Sequence, residues 1–325
     1  MRTQYLKVEF GKQTLKVPYV KIIGKKSGPN VCLISGLHGN EVTGPVSLWS
    51  FLEHAKQVNL KQHLSGTLFV FPSLNLLGLK DLERYFDGVD LNRAYKDLKS
   101  DTLHAKMLSK LVSKFFSKMD CILDFHDSGK RMMLMPHVRS DLTNKSILKL
   151  TKAFASDFIY DRKAKPTSLV GFMMKEFKIP VLTIESGGNF RVLDYNLRFN
   201  FDGIFNVLRF YKMYPGKKTT VDSKVFCHRM AVKSAVDGLV SYSVEPGDFI
   251  KKGQKLLELI DFSTLKSTPL YSEVDAYVLG LFDSNAIKEG QKLVHLVTCE
   301  KLSVAEKKRL KAELSDQFEL VKISM

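Results

Sequence analysis

The sequence predicts an α/β chain in which a mixed, mainly parallel sheet is flanked by helices and followed by a small all-β sandwich. Three observations carry this. Four short apolar runs, VCLIS (31–35), TLFVFPS (67–73), CILDF (121–125) and VLTIE (181–185), read as buried strands, and helical patterns fall between them. The character of the chain changes after residue 215, where YPGKKTTVDS (214–223) has the composition of a linker and the strands that follow are short. The later part also repeats itself. VDGLVSYSVEPGDFIKKGQKLLELI (236–260) is similar to VDAYVLGLFDSNAIKEGQKLVHLVT (274–298), and two such halves make a β-sandwich with pseudo-twofold symmetry. The expected domains are residues 1–215, residues 216–300, and a charged, helical tail over 301–325.

The elements follow in order. Residues 4–10 and 14–23 alternate polar and apolar around Gly11-Lys12 and read as paired strands. VCLIS carries no charge, as suits a strand covered on both faces. VTGPVSLWSFLEHAK (42–56) reads as a helix, TLFVFPS as the next core strand, and 74–96 as a long loop. Residues 100–118 place Leu103, Met107, Leu111 and Phe115 at helical spacing behind Ser100 or Asp101 as N-cap. CILDF is a third core strand. A helix-like stretch over 168–177 and a break at Pro180 precede VLTIE. In open parallel sheets, functional side chains gather beyond the C-terminal ends of the strands. His38, Asn75, His126 and Glu185 all fall there.

Composition narrows the class. The formal net charge is +16, from 50 Lys+Arg against 34 Asp+Glu in 325 residues. The lysines are spread out, with no arginine-rich run and no aromatic-basic interleaving of the single-strand-binding kind. A solvated basic surface, or a field that draws in carboxylate substrates, fits better than a nucleic-acid partner. The N-terminus lacks the apolar core of a signal peptide, and no apolar run approaches the roughly 20 residues of a membrane span. The four cysteines (Cys32, Cys121, Cys227, Cys299) form no CxxC pair, and Cys32 and Cys121, in strand-like apolar runs, read as reduced core residues. A cytoplasmic protein without nucleic-acid or membrane partners is expected.

Three stretches carry chemistry. In LISGLHGNEVTG (33–44) a buried strand ends in a glycine-rich turn that presents His38 and Glu41 three residues apart. A catalytic zinc site needs three protein ligands and one open position. His126, at the end of CILDFH, fits as the third, and Asp124 can hold an imidazole by its second nitrogen. The second stretch, NLLGLKDLERYFDGVDLNRAY (75–95), carries Arg84, Asn92 and Arg93 in an acidic frame of Asp87 and Asp90. An Asn-Arg pair plus a second arginine suits a carboxylate clamp and carbonyl polarisation. In the third, TIESGG (183–188), Glu185 ends a strand before a Gly-Gly pair and suits a general base acting on a metal-activated water.

Jointly, GLHGNE (36–41), the N-x-x-G with Arg84 and DLNR (75–93), LDFH (123–126) and TIESGG (183–188) resemble the succinylglutamate desuccinylase/aspartoacylase family, relatives of the zinc carboxypeptidases. The resemblance covers roughly residues 20–210. It implies a zinc carboxypeptidase-like fold with one zinc ion held by His38, Glu41 and His126. Arg84 would polarise the scissile carbonyl, Asn92 and Arg93 would hold a substrate carboxylate, and Glu185 would move the proton. The implied reaction is cleavage of an N-acyl amino acid, with acetyl or succinyl as typical acyl groups, and the implied partner is a small carboxylate-bearing substrate. The C-terminal repeat resembles the β-sandwich of many deacylase members and also lipoyl and biotinyl carrier domains. Asp127 departs from the Thr, Ser or Asn more usual after the third ligand. Its charge beside the metal would select a substrate amine or guanidinium, or weaken turnover. The proline of the Asn-Pro pair is missing in NLLG (75–78), and the family's tyrosine has no assigned position among Tyr85, Tyr95, Tyr242, Tyr271 and Tyr277. Substrate side-chain specificity falls to loops in which Arg131, Arg139 and Arg191 stand unranked.

Two other readings share these residues. A carboxypeptidase releasing a C-terminal residue from a peptide would use the same zinc, Glu and Arg set. More remotely, a carrier or binding protein would use Lys266 in TLKST, between the two halves of the repeat.

Overall fold

The computed structural model describes residues 2–130, 132–188 and 190–298. The expected tail over 301–325, Cys299 and Arg131 lie outside the described residues. The chain splits into two compact units. One comprises the residues up to Lys130 with Pro136–Ser223; the other comprises Met132–Met135 with the described residues from Lys224 onward.

The first unit is built on β1 (Thr3–Phe10), β2 (Gln13–Ile23), β3 (Lys26–Ser35), β4 (Ser65–Phe71), β5 (Cys121–His126), β6 (Met132–Ser140), β7 (Phe158–Asp161) and β8 (Val181–Gly187). Its helices are α1 (Thr43–Gln57), α2 (Leu76–Asp81), α3 (Leu103–Lys114), α4 (Lys145–Phe154), α5 (Leu169–Phe177) and α6 (Asp194–Phe210). The strand order is β1-β2-β4-β3-β5-β8-β6. β1 and β2 form an antiparallel pair and β2 is antiparallel to β4, whereas β4, β3, β5 and β8 run parallel. This is the mixed, mainly parallel sheet flanked by helices that the sequence predicts. Every residue of β5 is buried, Asp124 and His126 among the apolar ones. The core fills both faces. Leu33, Leu48, Phe51, Leu123 and Ile184 pack on one side, and Ile34, Phe71, Leu111 and Ile122 on the other.

Several elements differ from the sequence reading. β3 starts at Lys26, earlier than VCLIS, and pairs with β4 from there. The expected loop 74–96 contains the short helix α2, capped by Asn75, whose side chain accepts from the Gly78 N–H, and a 3-10 turn over Leu91–Arg93. The N-cap of α3 is Thr102, whose side chain accepts from the Ala105 N–H; the helix ends at Lys114, and a 3-10 turn follows over Phe116–Lys118. β6, β7, α4 and α6 have no counterpart in the sequence reading. β6 begins with a methionine run lacking β-branched residues and contains Pro136. α6 buries Asn196, Asn200 and Asn206 and carries Gly203 in its interior, so polar residues interrupt the stripe that would betray it.

The second unit is all β. Its strands are β9 (Lys224–Phe226), β10 (His228–Lys233), β11 (Gly238–Tyr242), β12 (Phe249–Ile250), β13 (Lys255–Asp261), β14 (Ser267–Tyr271), β15 (Ala276–Phe282), β16 (Ala286–Ile287) and β17 (Lys292–Thr298). The repeat is visible in the pairing. β11 pairs with β13 and β15 with β17, while the short strands are exchanged: β12 lies on β15 and β16 on β11. Equivalent residues of the two halves, such as Val240, Ile250 and Leu257 with Val278, Ile287 and Val294, share one core. Met132–Leu134, the start of β6, pairs with β15. Lys266 sits in the turn of the β13–β14 hairpin, where its N–H donates to Thr264 Oγ1. Among the described residues no helix is long and apolar enough to cross a membrane.

Gly203 gives a test of the first unit's packing. A Cβ there would fall 2.1 Å from the ring of Phe154, which is itself buried. Gly203→Val adds this overlap to a β-branched side chain in a helix and is expected to cost about 3 kcal/mol. Denaturant unfolding should show a lower midpoint at an unchanged slope.

Candidate metal centre

The backbone first brings the ligands together. β3 ends at Ser35, and Gly36 turns the chain with φ at +63°, a conformation that costs a glycine little. The turn is then fastened to the end of β4, where Leu74 N–H donates to Ser35 O and Asn75 N–H to Gly36 O. At Gly39 a Cβ would lie 2.0 Å from the carbonyl carbon of Gly78, so only a bare Cα lets the HGNE turn pack against the backbone of α2. His38 and Glu41 therefore stand between the ends of β3 and β4. The parallel pairing of β3 with β5 sets Ser35 beside Phe125, which carries His126 to the same rim.

Glu41 is the hub. Its Oε1 lies 2.7 Å from His38 Nδ1 and its Oε2 lies 2.7 Å from His126 Nδ1. The second nitrogen of each imidazole is also taken: His126 Nε2 is 3.0 Å from Asp124 Oδ2, and His38 Nε2 is 3.1 Å from Asp90 Oδ1. Arg84 Nη2 donates to Asp90 Oδ2 at 3.1 Å and Nη1 approaches Glu41 Oε1 at 3.4 Å. His38, Glu41, His126 and Asp124 are buried, and Asp90 is partly so.

Ligating atoms of His38, Glu41 and His126 all lie within 4.8 Å of one another. The donor set, two imidazoles and one carboxylate with both outer nitrogens held by carboxylates, fits a divalent ion of the zinc type. Charge points the same way. The carboxyl groups of Glu41, Asp90, Asp124, Asp127 and Glu185 gather here against the guanidiniums of Arg84 and Arg139.

The titrations follow from these contacts. Burial opposes charge on Glu41, but His38 and His126 outweigh it and hold the carboxyl well below its ordinary range. Burial likewise opposes an imidazolium, yet Glu41 and Asp90 raise His38, and Asp124 and Glu41 raise His126 further. Asp127 is pushed up to about 7, by burial first and by the charge of Glu41 second. Glu185 is raised by burial, against the pull of Arg139.

The remaining predicted residues fall as follows. Glu185 is the register partner of His126 on the adjacent parallel strand, is buried, and forms an ion pair with Arg139 Nη1 at 2.9 Å. Asp127 spends both oxygens on backbone. Oδ2 accepts from the N–H of Thr43, the first residue of α1, and Oδ1 accepts from Gly129 N–H. Asn92 and Arg93 lie on the 3-10 turn directly after Asp90. The Asn92 side chain accepts from Leu169 N–H at the start of α5, and Arg93 Nη1 donates to Asn92 O. Among the described residues neither side chain is bonded to His38, Glu41 or His126, while Asn92 N–H donates to Asp90 Oδ1 at 3.0 Å. Two participants were not ranked in the sequence. Asp90 had a signal, being the acid of the DLNR run beside Arg84. Arg139 is one of three unranked arginines in the sequence, and β6, which carries it, has no clear strand pattern.

Comparison with known proteins agrees with this geometry. A model of the "Succinylglutamate desuccinylase/Aspartoacylase catalytic domain" matches residues 27–211. A "Probable aspartoacylase" from Trichodesmium erythraeum (strain IMS101) is 31% identical over 113 residues, which span 32% of this chain and 37% of that protein's length. Among solved structures, the product-bound ectoine utilization protein EutE (DoeB) from Ruegeria pomeroyi superposes with a TM-score of 0.76 at 19% identity, covering 91% of this chain and 94% of that one. A succinylglutamate desuccinylase/aspartoacylase from Rhodobacter sphaeroides does so with 0.75 at 19% identity, covering 91% and 95%. At such identities the likeness is one of fold. The family match runs through more than half of the chain and contains His38, Glu41 and His126, and the chain therefore belongs to the succinylglutamate desuccinylase/aspartoacylase family.

Proposed function

We propose that this protein is a zinc-dependent amidohydrolase that cleaves an N-acyl amino acid into a carboxylic acid and a free amino acid. The observation that carries the reading is the preorganised His38–Glu41–His126 set with a buried glutamate one strand away. The family to which the chain belongs, and the name aspartoacylase borne by its relative, support a deacylase over other metal hydrolases.

Zinc, when bound, supplies a Lewis acid and lowers the pKa of water toward about 7. The protein does the rest. Asp90 and Asp124 fix the ring orientation of His38 and His126, so that both Nδ1 atoms face Glu41. Arg84 reaches the cluster from the loop after α2; its role is to polarise the scissile carbonyl and to stabilise the negative charge that grows on its oxygen. Asn92 and Arg93 receive the substrate carboxylate beside it, through the guanidinium donors that Asn92 O does not use. Glu185 takes a proton from the attacking water and hands it to the leaving amine.

The test is a substrate panel on the zinc-loaded protein. N-acetyl and N-succinyl amino acids should be hydrolysed. Release of C-terminal residues from peptides with no turnover of acyl amino acids would overturn the reading in favour of a carboxypeptidase. Glu185→Gln should keep its zinc and its fold while kcat falls about 10²–10⁴-fold. Near-normal activity in that variant would remove the assigned base. For the metal, His126→Ala should abolish stoichiometric zinc. Asp124→Ala and Asp90→Ala should each weaken zinc by about 10–100-fold in competition with a chelator, since each frees a ring nitrogen that now fixes a ligand.

A further inference from the structure

The proposed proton acceptor has a partner for which the reaction above provides no task. Arg139 lies on β6, the strand beside β8 in the sheet, and its Nη1 forms an ion pair with Glu185 Oε1 at 2.9 Å. The two carboxylates nearest the chemistry differ in their compensation. Glu41 has both imidazoles and Arg84 around it. Glu185, with its side chain 5% exposed, has Arg139 as its ion-pair partner among the described residues. A buried carboxylate left without a counter-charge is costly. The contact is also one-sided. It engages Oε1, and Arg139 Nε is buried with no hydrogen-bond partner among the described residues.

We propose that Arg139 is the positioning residue of the base: by binding Oε1 it fixes the carboxylate of Glu185 and leaves Oε2 as the oxygen that accepts the proton. This rests on the assignment of Glu185 as proton acceptor. Arg139 acts through Glu185 and leaves the substrate carboxylate to Asn92 and Arg93. Its loss therefore falls on turnover and spares substrate binding.

A double-mutant cycle on the zinc-loaded protein tests this, with an N-acyl amino acid that the unaltered protein hydrolyses. Arg139→Gln should lower kcat on the order of 10–100-fold, since the pair is buried on one side and 31% exposed on the other. KM should stay within about twofold, because a residue that acts in the chemical step alone leaves ground-state binding in place. Arg139→Lys, which keeps the charge but loses the planar fork, should restore part of the loss. In a Glu185→Gln background, adding Arg139→Gln should change kcat by less than about threefold, because two residues acting as one unit are non-additive. Zinc content and unfolding midpoint of each variant are measured alongside. Should Arg139→Gln fail to fold, Arg139→Lys carries the cycle. Losses that multiply in the double variant, or a loss carried by KM, would overturn the proposal and make Arg139 a substrate contact. If Glu185→Gln is itself fully active, the base assignment falls and this inference falls with it. If Glu185→Gln is impaired but the cycle is additive, only the role of Arg139 is wrong.

Discussion

The carboxylate of Glu41 is the joint on which the site depends. It bonds one imidazole nitrogen with each oxygen, and the two imidazoles come from the ends of different strands. Nothing in the local sequence joins residue 41 to residue 126. The parallel pairing of β3 with β5 does so, and that pairing exists because both strands are apolar enough to be covered on both faces. The metal centre is thus a consequence of core burial. The sheet is held by apolar contacts, its rim is where those contacts end, and the polar groups that cannot be buried alone are paired there with one another.

That joint is braced by backbone. Gly39 has to lie against the backbone of α2, and the carboxylate of Asp127 reaches from the residue after the third ligand to cap the start of α1. The same residue's own N–H approaches Glu41 Oε2 at 3.3 Å. The segment carrying His38 and Glu41 and the segment carrying His126 are therefore tied by side chain and main chain at once. A ligand set held this way pays little ordering entropy when an ion binds.

Much of this was legible in the sequence because strand ends are legible. Unbroken apolar runs of four to seven residues mark buried strands, and the first histidine or glutamate after each run marks the rim. That logic locates His38, Glu41, His126 and Glu185. It fails where the pattern is blurred. α6 turns three asparagines inward, where Asn200 bridges Ser47 and Ser186, so its buried face is not apolar. β6 is built of methionines and interrupted by a proline, and Arg139 was unplaceable without it. Asp127 shows contacts of another kind. A charge next to a ligand in sequence suggests a charge facing the ligand's ion, whereas the side chain is turned to two backbone N–H groups that only the fold brings within reach.

In the proposed reaction the two glutamates of the site have two tasks, ligand and base. Both are buried, and burial alone raises a carboxyl group. Glu41 is overruled by the two imidazoles flanking it and stays ionised, as a metal ligand must. For Glu185 burial outweighs the pull of Arg139 and of the two imidazoles, Glu41 adds repulsion, and the net shift is upward. A ligand should not gain protons in the working range, and a base should be able to. The difference between them comes from placement. Glu41 stands on a turn between two histidines, whereas Glu185 ends a strand whose neighbour on one side supplies His126 and on the other supplies Arg139.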